Sequence, residues 1–415
     1  MKRFLLWVGL SSVNFLFAQP KCGSFEYQKQ LVQAVPSLEV AHKAIENFVS
    51  NRESLRSFNS SRVEEGSNVI IVPVVVHILY HYPGENISDD LVRSQIFALN
   101  RDYRKLNADT VKIPGVFKPL AADCEIEFKL ATVDPSGRAT TGIIRNYTPV
   151  TTWTADDKIK YSSETGDDAW DAGSYLNIWV GTMNRVLGYS SIPGDLASKD
   201  GVVISNTVFG ITNSGIYDQG RTAVHEVGHW LGLRHLWGDA NCGDDGVADT
   251  PPQQTFTNGC PSAIRISCNN GPNGDMYMDY MDFTNDDCLV MFTLGQKQKM
   301  RTLFGVGGPR HSILLSKGLG IPAIAELPLP GNPPQWLQIE IFPNPATSQL
   351  TINMAYDERW VGKQLQVIDI TGKIQMVKMI VSKIQKLDIS QLAPGVYFLK
   401  SEKAGEKMMQ KFINL

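Results

Sequence analysis

The sequence predicts an α/β protein built on a mixed, twisted sheet with helices, followed by a small all-β sandwich. Three observations carry this reading. Up to about residue 310, β-branched strand-like runs alternate with helix-periodic segments. A proline-rich stretch then follows, with Pro322, Pro328, Pro330, Pro333 and Pro334, and reads as an interdomain linker over residues 321–337. Beyond it the pattern changes to short alternating runs separated by turn signals. A chain of 415 residues, 43% of them hydrophobic, has the length and apolar content for more than one buried core.

The amino terminus reads Met1-Lys2-Arg3, an apolar run from Phe4 to Phe17, and Leu16-Phe17-Ala18 ahead of Gln19-Pro20. This is the pattern of a secretory signal peptide, residues 1–18, cleaved after Ala18. No other stretch stays apolar for the roughly 18 residues that a transmembrane helix requires, so no membrane span is expected. A net charge of −3 and a pI near 6.2 leave no basic footprint for nucleic acid.

Residues 19–61 form a presegment with Cys22 and a polar helical stretch from Val40 to Phe48. It ends in Ser54 to Arg62, which reads as an exposed, cleavable linker carrying Arg56 and Arg62. The main unit spans residues 62–320. Its run from Ile70 to Leu79 has the continuous β-branched character of a strand buried on both faces, although Pro73 lies within it. Ser88 caps a helix whose apolar positions Val92, Ile96, Leu99 and Tyr103 follow helical period. Strands are expected at Ile126 to Val133, Tyr175 to Val180 and Val202 to Ile204, and a further helix after Gly220. The segment after Pro334, with its domain at residues 338–415, supplies runs at 336–342, 350–354, 365–370, 375–380 and 396–399, a sandwich of about seven strands.

The helix after Gly220 carries His225-Glu226-Val227-Gly228-His229, followed by Gly232 and His235. Residues four apart lie on one helical face, so His225 and His229 can present their imidazoles to one ion. Gly232 tolerates positive φ, which lets the chain turn and bring His235 round as third ligand. Three neutral imidazoles and an open fourth position make a catalytic rather than a structural zinc site. Glu226 stands beside the open position as general base to an attacking water. Histidines kept on the helix only for packing are the competing reading, and the spacing argues against it.

Export permits disulfides, and four of the six cysteines, Cys242, Cys260, Cys268 and Cys288, crowd a Gly/Asn/Asp-rich stretch after this helix. Spacing alone leaves three pairings open. Cys124, in a strand-like run, reads as a buried thiol.

The motif from His225 to His235, with Trp237-Gly238-Asp239 and Ala248-Asp249-Thr250-Pro251, resembles the pappalysin branch of the metzincins, of the ulilysin and mirolysin type, over roughly residues 20–310. The resemblance implies a zinc endopeptidase that acts on proteins and peptides. It places the methionine turn at Met281, in Tyr280-Met281-Asp282-Phe283. A shifted register, Met278-Asp279-Tyr280, breaks the cysteine spacing. The family has Tyr where this chain has Phe283, so either that hydroxyl is dispensable or Tyr280 supplies it. The resemblance also pairs Cys242 with Cys268 and Cys260 with Cys288. It puts Asp286 at the base of a pocket that selects Arg, less well Lys, after the scissile bond; a solvated surface Asp is the alternative. It implies a calcium ion held by Asp244, Asp245, Asp249 and Thr250, against the alternative of a polar turn. Finally, Lys21-Cys22-Gly23 resembles a cysteine switch, in which the thiolate holds the fourth zinc position and keeps a zymogen latent.

Residues 338–415 resemble a type IX secretion sorting domain, through Phe342-Pro343-Asn344-Pro345, Val367 to Lys373 and Leu392 to Tyr397. That implies the type IX machinery as partner, and release or attachment at the outer surface. A noncatalytic surface adhesin retaining a zinc fold is the rival reading. An intact Glu226 argues against it, since a pure binding module has no use for a general base.

Overall fold

A computed structural model describes residues 21–58, 69–212, 214–323, 339–354, 360–382, 384–403 and 406–415. The expected signal peptide, Arg62 and the greater part of the proline-rich linker lie outside the described residues.

Among the described residues the first unit is built on a seven-stranded sheet of order β1-β6-β7-β5-β2-β3, with β4 continuing the β3 edge of β2. Its strands are β1 (Lys21–Cys22), β2 (Ile70–Tyr80), β3 (Ile126–Leu130), β4 (Ile143–Tyr147), β5 (Leu176–Gly181), β6 (Val186–Ser190) and β7 (Val202–Ser205). The long β2 serves two neighbours in tandem on one side, β3 along Ile70 to Val74 and β4 along Val76 to Tyr80, and β5 on the other. Pairings within the sheet are parallel except β6 with β7, so the sheet is mixed.

Pro73 fits inside this central strand for a local reason. The amides of Ile70 and Val76 donate toward the β3/β4 side, to Glu125 and Gly142. By strand alternation the nitrogen of Pro73 faces the β5 side, where pairing begins only at Val74. Its missing N–H therefore has no partner to lose. Val72, Val74, Val76 and Ile78 face helices α3 (Asp89–Tyr103) and α4 (Arg221–Trp230) in the main core. On the opposite face Leu79, Trp179, Tyr189 and Val203 are covered by Tyr27, Leu31 and Leu38 of the presegment.

The presegment is more ordered than its polarity suggests. After β1 it forms α1 (Ser24–Ala34) and α2 (Ser37–Phe58). The expected linker therefore begins later: Leu55 and Arg56 have helical backbone, because nothing between Ser50 and Phe58 is Gly or Pro. Leu55-Arg56 thus lies in the last turns of α2 and would have to unwind before entering a protease cleft extended. The bond Ser61-Arg62 lies outside the described residues. Helix α2 rests against α5 (Leu294–Thr302), with Arg52 donating to the Val306 carbonyl at 2.6 Å.

Helix α4 is seated by Gly220, at φ 76°, whose carbonyl accepts from the buried Gln95 amide at 2.9 Å. It ends at Trp230, and Gly232 takes φ 79° while the Leu233 amide reaches back to the Gly228 carbonyl. This is the sharp turn that returns the chain toward the helix.

The carboxy-terminal unit holds two antiparallel sheets among its described residues. One is β11-β10-β13-β14, from β10 (Gln364–Asp369), β11 (Ile374–Met379), β13 (Gly395–Lys403) and β14 (Glu406–Asn414). The other is β12-β9-β8, from β8 (Glu340–Phe342), β9 (Gln349–Asn353) and β12 (Ile384–Asp388). Leu350, Ile352, Val367, Leu399 and Phe412 form the core of this unit.

Candidate metal centre and active site

His225 and His229 lie one turn apart on α4, and the turn at Gly232 delivers His235 against them. Their Nε2 atoms are separated by 3.1 Å (His225 to His229), 3.1 Å (His229 to His235) and 3.3 Å (His225 to His235). Each ring donates its other nitrogen away from this point. Nδ1 of His225 bonds the Tyr280 carbonyl at 2.7 Å, that of His229 the Leu233 carbonyl at 2.8 Å, and that of His235 the Asp239 carboxylate at 2.5 Å. The proton is thereby fixed on Nδ1 in all three rings, and three Nε2 lone pairs converge with no hydrogen between them. Only a cation resolves that arrangement. Tetrahedral zinc with Zn–N bonds near 2.0–2.1 Å would hold its nitrogens about 3.3 Å apart, so the donor set fits. Burial and the neighbouring rings keep His225 well below its ordinary pKa, and burial brings His229 down to about 3, so both remain neutral ligands.

Cys22 completes the set. Its Sγ lies 3.5 Å from His229 Nε2, and the four donors all fall within 4.8 Å of one another. Burial and the nearby Glu226 carboxylate push the thiol up when no cation is present; a bound dication reverses that preference.

Glu226 is fully buried, and burial raises its carboxyl to about 7 against the hydrogen bonds of Ser24 and Cys22, which lower it. Its Oε2 accepts from Ser24 Oγ at 2.8 Å, and the same Oγ accepts from the Ser190 amide at 2.9 Å. Gly188 makes room for the carboxylate: a Cβ there would stand 3.0 Å from Glu226 Cγ and 2.8 Å from the Val203 carbonyl. The sequence reading missed Ser24 and Gly188, and gave Asp239 no role beyond its place in the motif. Ser24 carried one signal, its place two residues after Cys22. Asp239 carried another, four residues after His235.

The disulfides Cys242–Cys268 and Cys260–Cys288 interleave and staple the segment below the metal position. Met281 is fully buried under α4, its Sδ 2.5 Å from where a Gly228 Cβ would lie. Overpacking of this kind costs about 1–3 kcal/mol, so Gly228→Ala should lower the melting temperature by several degrees. Differential scanning calorimetry checks this, and an unchanged melt refutes the contact.

Tyr280 does not reach the cleft. Its ring is fully buried against Phe292 and under the Arg221 guanidinium, so the idea that its hydroxyl replaces the family's tyrosine is corrected; only its carbonyl serves the site, through His225. Phe283 stands in that place, with ring centroids 4.8 Å from His235 and 5.5 Å from His225.

Asp286 is buried, not a solvated surface residue. It lines the same cleft as Cys22, His225, Glu226 and Leu187. Its Oδ2 accepts from the Gln219 amide at 2.8 Å and the Arg221 amide at 3.3 Å, while Oδ1 has no protein partner among the described residues. Burial raises its carboxyl to about 6.

The carboxylates of the acidic segment are held by local hydrogen bonds. Asp249 accepts from Thr293 Oγ1 at 2.7 Å and the Gly295 amide at 2.8 Å, at the start of α5. Asp245 accepts from Thr250 Oγ1 at 2.9 Å and the Val247 amide at 3.0 Å, and Asp244 from the Gly246 amide. Among the described residues the one cluster of three or more His, Cys, Asp or Glu donors is that of Cys22 with the three histidines. Local hydrogen bonds thus engage the carboxylates of the expected calcium set.

Comparison with known proteins adds to this geometry. Residues 160–305 match the family model described as Pregnancy-associated plasma protein-A, and residues 340–414 match that of the Secretion system C-terminal sorting domain. An extracellular metalloprotease of Pyricularia oryzae is 29% identical over 320 residues, spanning 73% of this chain and 96% of the relative. Mature mirolysin of Tannerella forsythia in complex with a cleaved peptide is similar at 44% identity and a TM-score of 0.58, covering 60% of this chain and 96% of that one. A promirolysin mutant of Tannerella forsythia is similar at 40% identity and a TM-score of 0.65, covering 71% and 97%.

Proposed function

The chain belongs to the pappalysin family of metalloproteases, exported by type IX secretion to the cell surface or beyond, and from that premise we propose a zinc endopeptidase held latent by its own presegment and selective for Arg after the scissile bond. The observation that carries the metal assignment is the convergence of three Nδ1-protonated imidazoles, with Cys22 at the fourth position. His225, His229 and His235 would hold the zinc ion, which when bound would supply a water-activating, carbonyl-polarising Lewis acid. Glu226, next to His225 on α4 and lining the same cleft, takes a proton from the attacking water and returns it to the leaving amine. Asp239 and the carbonyls of Tyr280 and Leu233 keep the three rings aimed during turnover.

In the precursor each of these groups is engaged by the presegment. Cys22 takes the water's position, Ser24 hydrogen-bonds the base, and β1 pairs along β6. Removal of the presegment frees the metal position, Glu226 and the β6 edge together, and an extended substrate strand can then pair where β1 lay.

The unpartnered Oδ1 of Asp286 supports the Arg preference, since a guanidinium entering the cleft would give that open oxygen a charge-assisted donor. The test is a cleavage profile of the mature enzyme on a randomised peptide library, with and without chelator. Chelation should abolish cleavage, and Asp286→Ala should lose the Arg preference by about tenfold or more with zinc content unchanged. Apolar residues selected after the scissile bond by the parent enzyme would refute the pocket assignment.

A further inference from the structure

A second pocket along β6 is filled in the precursor by the side chain of Tyr27. Its hydroxyl donates to Asp157 Oδ2 at 2.9 Å, and its ring lies 4.8 Å from that of Tyr189. The wall opposite is cationic: Lys160 Nζ sits 5.2 Å from the Tyr27 ring, 4.9 Å from Tyr189 and 5.4 Å from Trp179. Lys160 is fully buried and pairs with Asp157 Oδ1 at 2.9 Å, while Lys199 reaches Asp157 Oδ2 at 2.9 Å. Burial works against the Asp157 anion, but the two lysines hold its carboxyl below the ordinary value, so it stays a charged acceptor. Every member of this seat except Tyr27 belongs to the protease unit and remains when the presegment is gone.

The seat adjoins the strand edge that a substrate would use. Outward-facing backbone groups of β6 are taken in the precursor by presegment atoms: the Gly188 carbonyl by the Gly23 amide at 2.8 Å, the Ser190 amide by Ser24 Oγ, and the Ser190 carbonyl by Gln28 Nε2 at 3.3 Å. A substrate strand on this edge inherits those bonds. Side chains of paired residues share a face, and successive residues alternate. A Cβ on Gly188 would point at Glu226, so Tyr189 points the other way, into the seat. The Asp286 pocket is lined by Leu187, on the far side of Gly188 from Ser190. The two pockets therefore flank the base at opposite ends of β6. If Asp286 receives the residue after the scissile bond, the vacated seat faces residues before it.

We propose that the Tyr27 seat becomes, in the mature enzyme, a specificity subsite for an aromatic substrate side chain, preferentially tyrosyl, on the amino-terminal side of the scissile bond, with Asp157 accepting the phenol and Lys160 lying over the ring. This rests on the protease reading above. An aromatic ring restores the packing against Tyr189 and the cation–π contact that release of Tyr27 removes. The phenolic hydroxyl restores the hydrogen bond to a charged acceptor, which distinguishes Tyr from Phe.

The test is the randomised-library profile of the mature enzyme, followed by kcat/KM for matched peptides carrying Tyr, Phe or Ala at the selected position. Tyr should be enriched at one position before the bond, with Phe lower by about tenfold and Ala by about a hundredfold. Asp157→Asn should close the gap between Tyr and Phe while the selection after the bond persists. Should that variant fail to fold, the parent's ratio of Tyr to Phe decides alone. Cleavage with Arg selected after the bond but flat preferences at every position before it overturns the seat and leaves the protease reading standing. No chelator-sensitive cleavage of any peptide overturns both.

Discussion

Glu226→Ala is expected to keep one zinc per chain and to lose turnover by about a thousandfold or more, within the range ascribed to general acid–base catalysis. The ligands do not depend on this side chain. The Nδ1 protons of His225, His229 and His235 go to Tyr280, Leu233 and Asp239, and the Nε2 atoms converge without help from the carboxylate. What is lost is the buried acceptor that takes the water's proton. Metal analysis beside initial rates on a casein-type substrate separates the two effects. Equal rates in parent and variant would remove Glu226 from the mechanism, and loss of zinc in the variant would make it a structural residue.

The second large effect is expected from Cys22→Ala in the uncleaved precursor. Losing the thiolate opens the fourth metal position, and hydrolysis of a small fluorogenic peptide should rise by about a hundredfold, equivalent to roughly 2.7 kcal/mol of lost latching. Protein substrates should remain excluded. The presegment stays anchored by Ser24 on Glu226, Tyr27 on Asp157, and His42 and Gln28 on Asp195, the last two at 2.8 and 2.7 Å. Peptide rates that do not rise would show that the thiol is not the latch. Casein rates that rise as far as peptide rates would show that the remaining anchors do not cover the cleft.

The parts of this molecule legible in its sequence are those set by local geometry. The spacing of His225, His229, Gly232 and His235 is a property of one helix and one turn, and the structure brings these residues together as that spacing requires. Strand β2 is legible because both its faces are buried and its composition shows it. By contrast β4 has only half-buried positions, and β6 is interrupted by Gly188, so neither offers a period to read. Ser24 and Asp157 were not legible because their meaning lies in partners 202 and 130 residues away in sequence. The helical backbone at Arg56 was not legible either, because the Ser- and Asn-rich composition around it shows no helical period, whereas α2 packs against α5. In the acidic segment 244–250, Asp249 hydrogen-bonds Thr293 at the start of α5, a partner 44 residues away that its local composition does not announce.

The two residues of β1 have a consequence beyond silencing the enzyme. A sheet edge with unpaired backbone groups is a template for any other extended chain, including a second copy of itself. In the precursor the exposed side of β6 is closed by Lys21, Cys22 and Gly23 along the line where peptides are later to be bound. On the proposed reading the presegment would hide this edge during transit, guarding the protein from association as well as its surroundings from digestion. Colloidal stability and latency would then be lost in the same cut.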